Sequence, residues 1–353
     1  MGPIAPAQSA VDADEEIAFF TTSGHLEETG EYWCVRIHGW VYEPEHDSIR
    51  RAAALGVLRR VLGLDEGAAE TALFRERARL FLVDNERDER IRIRSGGRTH
   101  ELEPSGANGH TVTTLRIAAA DVRSATATAA SRGYVVAFEA ALAEGDGRRF
   151  GGTVQLVPPK GVSVISDIDD TIKVTDVRDR KALLANTFLR DFRAVPGMAD
   201  VYRAWADHGA VFHYVSASPW QLYGPLSGFL RAEGFPAGSF HMKLFRLKDS
   251  TFFDLFADPE VGKTAAIETI LTAFPERRFV LVGDSGEKDP EIYGRVARKH
   301  PRQIDRIFVR NVTGEDAGGE RFRAAFDAVP RDQRMLFRNA NELPRRLGSL
   351  EGE

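Results

Sequence analysis

Two different patterns of hydrophobic residues divide this chain, and they constrain its fold more than any other feature. After Pro158, Pro159 and Gly161, short β-branched runs alternate with amphipathic helical patterns. The strand-like runs are GVSVIS, VFHYVS, FHMKLF, FVLVGD and RIFVRNV. Alternating strands and helices are typical of a doubly wound parallel sheet, whose ligands bind at the carboxyl ends of the strands. We therefore predict an α/β domain over residues 159–353.

The earlier part of the chain has the pattern of an all-β domain. Its short alternating runs are CVRIHGWVY, RLFLV, IRIR, TVTTLRI, YVVAFEAAL and GTVQLV, separated by glycine-rich spacers. This pattern predicts a β-sandwich-like domain over residues 17–158. One inserted helix is expected after Ser48, with an apolar stripe made of Ala54, Leu55, Leu58, Val61 and Leu62. The small, polar and acidic residues 1–16 are expected to form a disordered tail.

The composition is that of a soluble globular protein, with 43% hydrophobic and 28% charged residues. No apolar run approaches the ~18 residues of a membrane span. A net charge of -5 argues against general nucleic-acid binding, which normally uses a basic surface. Cys34 is the only cysteine, so no intrachain disulfide or cysteine-based zinc site can form. A reducing compartment suits this usage, and without a signal-peptide pattern the expected location is the cytoplasm.

The stretch VSVISDIDDTIK, from Val162 to Lys173, brings three carboxylates and a hydroxyl to the end of a strand. Residues two apart on a strand share a face, so Asp167 and Asp169 are expected to project together and Asp170 away from them. Like charges this close raise each other's pKa unless a cation or hydrogen bonds hold them. A hard divalent ion such as Mg²⁺ would meet that need. The alternative is an acidic turn or helix cap without a chemical role.

Three later segments add polar groups at strand ends or helix starts. Ser216 ends the run VFHYVS, and its hydroxyl could donate to a phosphoryl oxygen or cap the next helix. Lys263 lies at a helix start, where the dipole disfavours a lysine unless an anion is near. The segment GDSGEKDPE would bring Asp284 and Asp289 to the same sheet edge, although Asp289 could instead be an N-cap. Together these groups would form a site for a divalent cation and a phosphoryl group.

The motifs, in this order, resemble those of the haloacid dehalogenase superfamily of aspartyl-phosphate hydrolases. Longer strings resemble one branch, the phosphatidate phosphatase catalytic domain of the actin patch protein family, which is related more distantly to the lipin phosphatases. These strings are DIDDTIKVTDV, RKALLANTFLRDF, VPGMADVY, YVSASPWQLY and VLVGDSGEKDPEIY. The resemblance covers about Val162 to Val312, and the β-rich first half resembles bacterial members of the family loosely.

The resemblance implies roles for particular residues. Asp167 would be the nucleophile that forms an aspartyl-phosphate, and Asp169 would be the general acid and base. Mg²⁺ would be held by Asp167, the backbone carbonyl of Asp169 and Asp284, with Asp289 in or beside that shell.

The same resemblance implies that three residues bind the substrate phosphate. Ser216 and Lys263 would contact the transferring phosphoryl oxygens, and Thr171 would also brace the catalytic loop. Lys243 and Lys248 lie in the same region of the sequence and could take the place of Lys263.

An Mg²⁺-dependent phosphatidate phosphatase, which releases diacylglycerol and phosphate, is the function that the resemblance implies. The segment from Lys173 to Arg193 carries six cations against three aspartates, so it could meet an anionic lipid surface at the membrane periphery. It could equally be a solvated flap whose leucines pack on the sheet. A phosphatase for soluble or nucleic-acid-end phosphomonoesters is an alternative, because fold and motifs do not determine the leaving group. A second alternative is a catalytically silent lipid- or protein-binding module.

Overall fold

The structure is a computed structural model that describes residues 9, 11–44, 55–56, 59, 71–126, 134–245 and 259–347. Most of the helix predicted after Ser48, Lys248 and residues 1–8 and 10 of the predicted tail lie outside these ranges. The chain forms two compact units, Met1–Val57 with Arg79–Pro158 and Leu58–Ala78 with Pro159–Glu353. The residues of the first fully described helix, up to Ala78, therefore belong to the second unit, although they precede Pro158 in the sequence.

The nine strands described in the first unit form one mixed sheet. They are β1 (Glu16–Phe20), β2 (Thr22–Leu26), β3 (Tyr32–Glu43), β4 (Asp84–Asn85), β5 (Arg92–Ser95), β6 (Arg98–Glu101), β7 (His110–Ala118), β8 (Tyr134–Ala140) and β9 (Gly151–Val157). Strand β3 pairs with β1 and β2 along one edge and with β7 and β4 along the other. All nine strands are connected by hydrogen bonds, because β3 has 12 residues and is long enough for two partners on each edge. Residues of β1, β3, β5, β8 and β9 share one buried hydrophobic core.

Two local predictions for the first unit differ from the structure. The run RLFLV was predicted as a strand, but Arg79 ends the helix α1 (Ala72–Arg79) and a turn follows it. A short apolar run does not distinguish the end of a helix from a strand, which explains the error. Within the predicted tail, the hydroxyl of Ser9 donates to the carbonyl of Arg92, and β1 begins at Glu16. The helix α2 (Ala119–Thr126) was not predicted.

The second unit contains a six-stranded sheet in the order β12-β11-β10-β13-β14-β15. Its strands are β10 (Val162–Ser166), β11 (Val211–Pro219), β12 (Gly238–Lys243), β13 (Arg278–Asp284), β14 (Ile304–Arg310) and β15 (Arg334–Phe337). Every neighbouring pair in this sheet is parallel, which confirms the α/β prediction. Strand β10 lies between β11 and β13, where the strand order reverses, and such a point is where open α/β sheets bind ligands.

Helices connect these strands, as the alternating pattern predicted. They are α3 (Arg180–Phe188), α4 (Met198–Asp207), α5 (Tyr223–Ala232), α6 (Pro259–Ala273), α7 (Asp289–Lys299) and α8 (Glu320–Ala325). The apolar residues of α4 recur at helical spacing and are buried, with Tyr202 and Trp205 fully covered. Helix α6 includes Pro259, ahead of the predicted start near Gly262, so Lys263 lies one turn inside the described helix. Among the described residues, no helix has the length and apolar character needed to cross a membrane.

Candidate active site

The turn after β10 holds Asp167 in a fixed position. The backbone N–H of Asp167 donates to the carbonyl of Val282, which extends the pairing of β10 with β13 by one residue. Its side chain is 1% exposed, and its Oδ2 accepts a hydrogen bond of 2.9 Å from Thr171. Asp170 has a φ of 52° and accepts backbone N–H bonds from the loop that follows, so it stabilises the turn. Asp170 therefore has a structural role in the turn. This role does not account for Asp167 and Asp169, the other two aspartates of the motif.

The end of β13 brings two more carboxylates to Asp167. Asp284 is the last residue of β13, and Asp289 is the first residue of α7. One ligand oxygen from each of these three buried aspartates lies within 4.8 Å of the others. The backbone N–H of Asp284 donates to Oδ2 of Asp289. Gly283 makes this approach possible, because a Cβ at that position would lie 2.1 Å from the same oxygen.

Lys263 reaches from α6 into this group of carboxylates. Its Nζ lies 3.0 Å from Oδ1 of Asp167, 2.5 Å from Oδ1 of Asp289 and 3.1 Å from Oε2 of Glu287. The side chain is buried, so an anionic environment does accompany this lysine. Lys243 lies at the end of β12 and is half-buried. We refer to Asp167, Lys263, Asp284, Glu287 and Asp289 as the acidic cluster.

Electrostatics make the acidic cluster unfavourable without another cation. Four carboxylates face one ammonium, which gives a formal charge of -3 when all are ionised. Burial raises the pKa of Asp167 well above its usual value against the effect of Lys263, and Asp289, Glu287 and Asp284 raise it further. Burial and the charges of Asp289 and Glu287 raise the pKa of Asp284 in the same way. Burial opposes the charged form of Lys263, but the surrounding carboxylates outweigh this and raise its pKa.

The donor set of the acidic cluster fits a hard divalent cation. Oδ2 of Asp284 is buried and has no hydrogen-bond partner among the described residues, whereas Oδ1 accepts the N–H of Gly286. A buried carboxylate oxygen without a donor is costly, and coordination of a cation would satisfy it. The three aspartates offer only oxygen ligands, which Mg²⁺ prefers over nitrogen or sulfur.

Asp169 has a different environment. Its Oδ1 lies 2.8 Å from Nζ of Lys173 and accepts a 2.7 Å hydrogen bond from Thr175. Its Oδ2 accepts hydrogen bonds from Ser218 at 3.1 Å and Ser216 at 3.3 Å. We refer to these five residues as the Asp169 cluster. One carboxylate here faces one ammonium and three hydroxyls, so its charge is balanced within the protein.

The pKa of Asp169 is lowered, in contrast to that of Asp167. Burial alone would raise it, but the charge of Lys173 and the hydrogen bonds from Lys173, Thr175 and Ser218 outweigh this effect. Asp169 is thus a carboxylate whose charge is held by a cation and by hydrogen bonds, which is the condition under which the pKa of such a pair is not expected to rise. The two side chains make separate sets of contacts, one with Lys263 and one with Lys173.

Sequence reasoning missed several residues of the site. Glu287 was not singled out, although it stands between Asp284 and Asp289 in the motif. Lys173 was counted with a surface segment, but it is 1% exposed and pairs with Asp169. Without Lys173 the segment from 174 to 193 has five cations against three aspartates, a net of +2. An apolar neighbour on each side of Lys173 was the available signal of burial.

Arg321 in α8 holds the loop that carries Glu287. Its guanidinium donates to the carbonyls of Ser285 and Glu287, each at 2.6 Å, and to Glu291 at 2.8 Å. These bonds fix the backbone between Asp284 and α7. No motif indicated this residue, because its role depends on carbonyl groups and not on a sequence pattern.

Comparison with known proteins finds a family that the second unit resembles. Residues 162–311 match the family model described as "Phosphatidate phosphatase APP1, catalytic domain". This segment is therefore similar to the catalytic domains of that family, and the recognition based on the motifs is confirmed. Asp167, Asp169, Lys263, Asp284 and Asp289 all fall within the matched residues.

Two curated relatives each match less than half of the chain. Phosphatidate phosphatase APP1 of Saccharomyces cerevisiae is 38% identical over 158 residues, which are 44% of this chain and 26% of that protein. An uncharacterised protein of Schizosaccharomyces pombe is 31% identical over 169 residues, 47% of this chain and 27% of that protein. The matches thus span about a quarter of the length of these relatives.

Proposed function

We propose that the second unit is an Mg²⁺-dependent phosphatidate phosphatase with a haloacid dehalogenase-like fold, which releases diacylglycerol and phosphate through an aspartyl-phosphate. The observation that carries this proposal is the buried acidic cluster at the carboxyl ends of β10 and β13. It lies within residues that match a phosphatidate phosphatase catalytic-domain family. The relative named phosphatidate phosphatase supports the same substrate class.

Asp167 is the nucleophile in this proposal. Thr171 binds one of its carboxylate oxygens and Lys263 the other, so the side chain is held in one orientation. Attack on phosphorus forms the aspartyl-phosphate and breaks the bond to the leaving alkoxide, which divides one difficult displacement into two easier ones. Lys263 also favours the ionised form of Asp167, which a nucleophile requires and which burial opposes.

Asp169 is the general acid and base. In the first step it gives a proton to the leaving oxygen, and in the second step it takes a proton from the attacking water. The lowered pKa of Asp169 keeps the carboxyl ionised, so it is able to accept a proton in the second step. A phosphate dianion placed beside Asp169 raises the pKa of that carboxyl by like-charge repulsion, so substrate binding favours the protonated form that the first step needs.

Mg²⁺ would be held by Asp167, the backbone carbonyl of Asp169, Asp284 and Asp289. When bound, the ion supplies positive charge that stabilises the phosphoryl oxygens and keeps the carboxylates of the cluster ionised. The unpartnered oxygen of Asp284 supports this set of ligands.

Three donors are proposed to bind the phosphoryl group. Thr171 and Lys263 contact Asp167, and Ser216 contacts Asp169, so all three touch one of the two catalytic carboxylates. Donors fixed before the reaction stabilise the charge that develops on the phosphoryl oxygens. Lys263 is favoured over Lys243 by its bonds within the acidic cluster.

Phosphate release by the purified chain tests the proposal. We expect Mg²⁺-dependent release from phosphatidate in mixed micelles that exceeds release from sugar phosphates and nucleotides. Asp167→Asn should reduce the rate to background, whereas Asp332→Asn, an exposed aspartate on another part of the unit, should not.

Two other results would each support a different function. A preference for the soluble esters would favour the soluble or nucleic-acid-end phosphatase. Binding of phosphatidate vesicles without any release of phosphate would favour the silent binding module.

A further inference from the structure

A cleft of about 430 Å³ in the second unit reaches Asp169, and we refer to it as the leaving-group cleft. Its lining includes Asp169, Val177, Leu183, Ser218, Pro219 and Leu222. Asp169 is the proposed proton donor to the leaving oxygen, so a group that occupies this cleft lies beside the bond that breaks. The lining therefore bears on which leaving group the site accepts.

One part of the lining is apolar and includes Leu183 of α3. Leu183 belongs to α3, whose start is capped by the side chain of Asp179 through the N–H groups of Lys181 and Ala182. Leu184 and Phe188 of the same helix are buried, so α3 is anchored by its other face. Leu183 is only half-buried and keeps apolar surface available to the cleft.

Three of the charged side chains in the lining, Asp169, Glu287 and Arg321, are engaged by other protein groups, whereas Lys288 is exposed. Arg321 donates to Glu291 and to the carbonyls of Ser285 and Glu287. Glu287 accepts from Lys263, and the hydroxyl of Ser218 donates to Asp169. A polyhydroxylated leaving group would lose its water against the apolar part of the lining, which offers no hydrogen bonds in return, and this is unfavourable.

We propose that Leu183 is a specificity-determining residue that favours leaving groups with an apolar chain next to the ester oxygen. Val177 and Leu222 contribute to the same lining. This inference rests on the phosphatase function proposed above. A diacylglycerol-like leaving group would bury apolar surface against Leu183, whereas glycerol has no such surface to bury.

Leu183→Gln tests the inference, because glutamine keeps the length and helix propensity of the residue and removes its apolar character. The measurement compares kcat/KM for dihexanoyl phosphatidate, kept below its micelle concentration, with kcat/KM for glycerol 3-phosphate. We expect the ratio to fall about tenfold, while the value for glycerol 3-phosphate is unchanged. Monomeric substrate removes any contribution from binding to a lipid surface.

Two variants serve as controls, and a variant at Val177 tests the inference independently. Leu189→Gln, a half-buried leucine at the end of the same helix and outside the lining, should leave the ratio unchanged. Leu183→Met should retain the wild-type ratio. Val177→Thr, which has nearly the same shape, should lower the ratio in the same direction and still applies if Leu183→Gln unfolds.

The outcomes separate failure of the inference from failure of the proposed function. If the wild-type chain prefers phosphatidate but Leu183→Gln and Val177→Thr leave the ratio unchanged, only the inference is overturned. An equal effect of Leu189→Gln would overturn it as well. A wild-type chain that hydrolyses glycerol 3-phosphate and not phosphatidate would overturn both the lipid function and this inference.

Discussion

The acidic cluster and the Asp169 cluster differ in how their charge is balanced, although Asp167 and Asp169 are two residues apart. Asp167 shares one lysine with three other carboxylates, and its pKa is raised. Asp169 has Lys173 and hydroxyl donors to itself, and its pKa is lowered. One cluster needs a further cation, and the other is complete. Environments that separate the pKa values of two carboxylates are how one site obtains groups with different roles.

Asp169→Asn is expected to have the largest effect, because it should lower both the activity and the stability of the chain. We expect a loss of kcat on the order of 10³-fold or more, because no other described residue is assigned the proton transfer. In buffer with a chelator, the free energy of unfolding should also fall by about 3 kcal/mol, because Lys173 loses its buried charge partner. Phosphate-release assays measure kcat, and urea unfolding measures the free energy of unfolding.

Asp284→Asn should act on stability with the opposite sign. Without divalent cations it removes one of the mutually repelling carboxylates, so the free energy of unfolding should rise by about 1 kcal/mol. A fall in stability equal to that of Asp169→Asn would show that the two clusters do not differ in charge balance.

The two clusters should also differ in how the stability of the chain depends on pH and Mg²⁺. In the acidic cluster the folded pKa values of Asp167 and Asp284 are raised, so folding is penalised as pH rises above the usual value of 3.8 towards the folded values. Asp169 has the opposite sign, since its lowered pKa contributes stability above the usual value that is lost as pH falls through the folded one. With a chelator present, we expect Tm to decline as the pH rises towards the raised pKa values of Asp167 and Asp284. Added Mg²⁺ should restore Tm.

A matched variant checks that the acidic cluster causes this behaviour. In Asp284→Asn the gain in Tm from Mg²⁺ should be smaller at every pH. An equal gain in this variant and in the wild-type chain would place the ion elsewhere.

Arg321→Lys should have the smallest effect. Lysine keeps the charge, but its donors lie on one nitrogen and cannot reach the three groups that Nε, Nη1 and Nη2 of Arg321 contact separately, so the loop of the acidic cluster becomes less fixed. We expect the Mg²⁺ concentration for half-maximal activity to rise about fivefold, with little change in kcat at saturating Mg²⁺. Arg331→Lys, an exposed arginine, is the control. A fall in kcat without a change in Mg²⁺ dependence would contradict this positioning role.

Much of the second unit could be predicted from the sequence because its pattern is local. The periodic apolar residues of α4 predicted its buried face, and the runs before Asp167 and Asp284 predicted strands of one parallel sheet. The first unit could not be predicted as well. Which strands pair with β3, and whether they form one sheet or two, depends on contacts between residues far apart in the chain.

The chemical groups that are present, and the position of several of them at strand ends, follow from the sequence, because side-chain periodicity and strand composition are properties of neighbouring residues. How these groups share their partners depends on the tertiary structure. It paired Lys173 with Asp169, placed Lys263 among Asp167, Glu287 and Asp289, and left Oδ2 of Asp284 without a donor among the described residues. These distances depend on how helices pack on the sheet, and the electrostatic interaction that assigns each carboxylate its role depends on distance and burial.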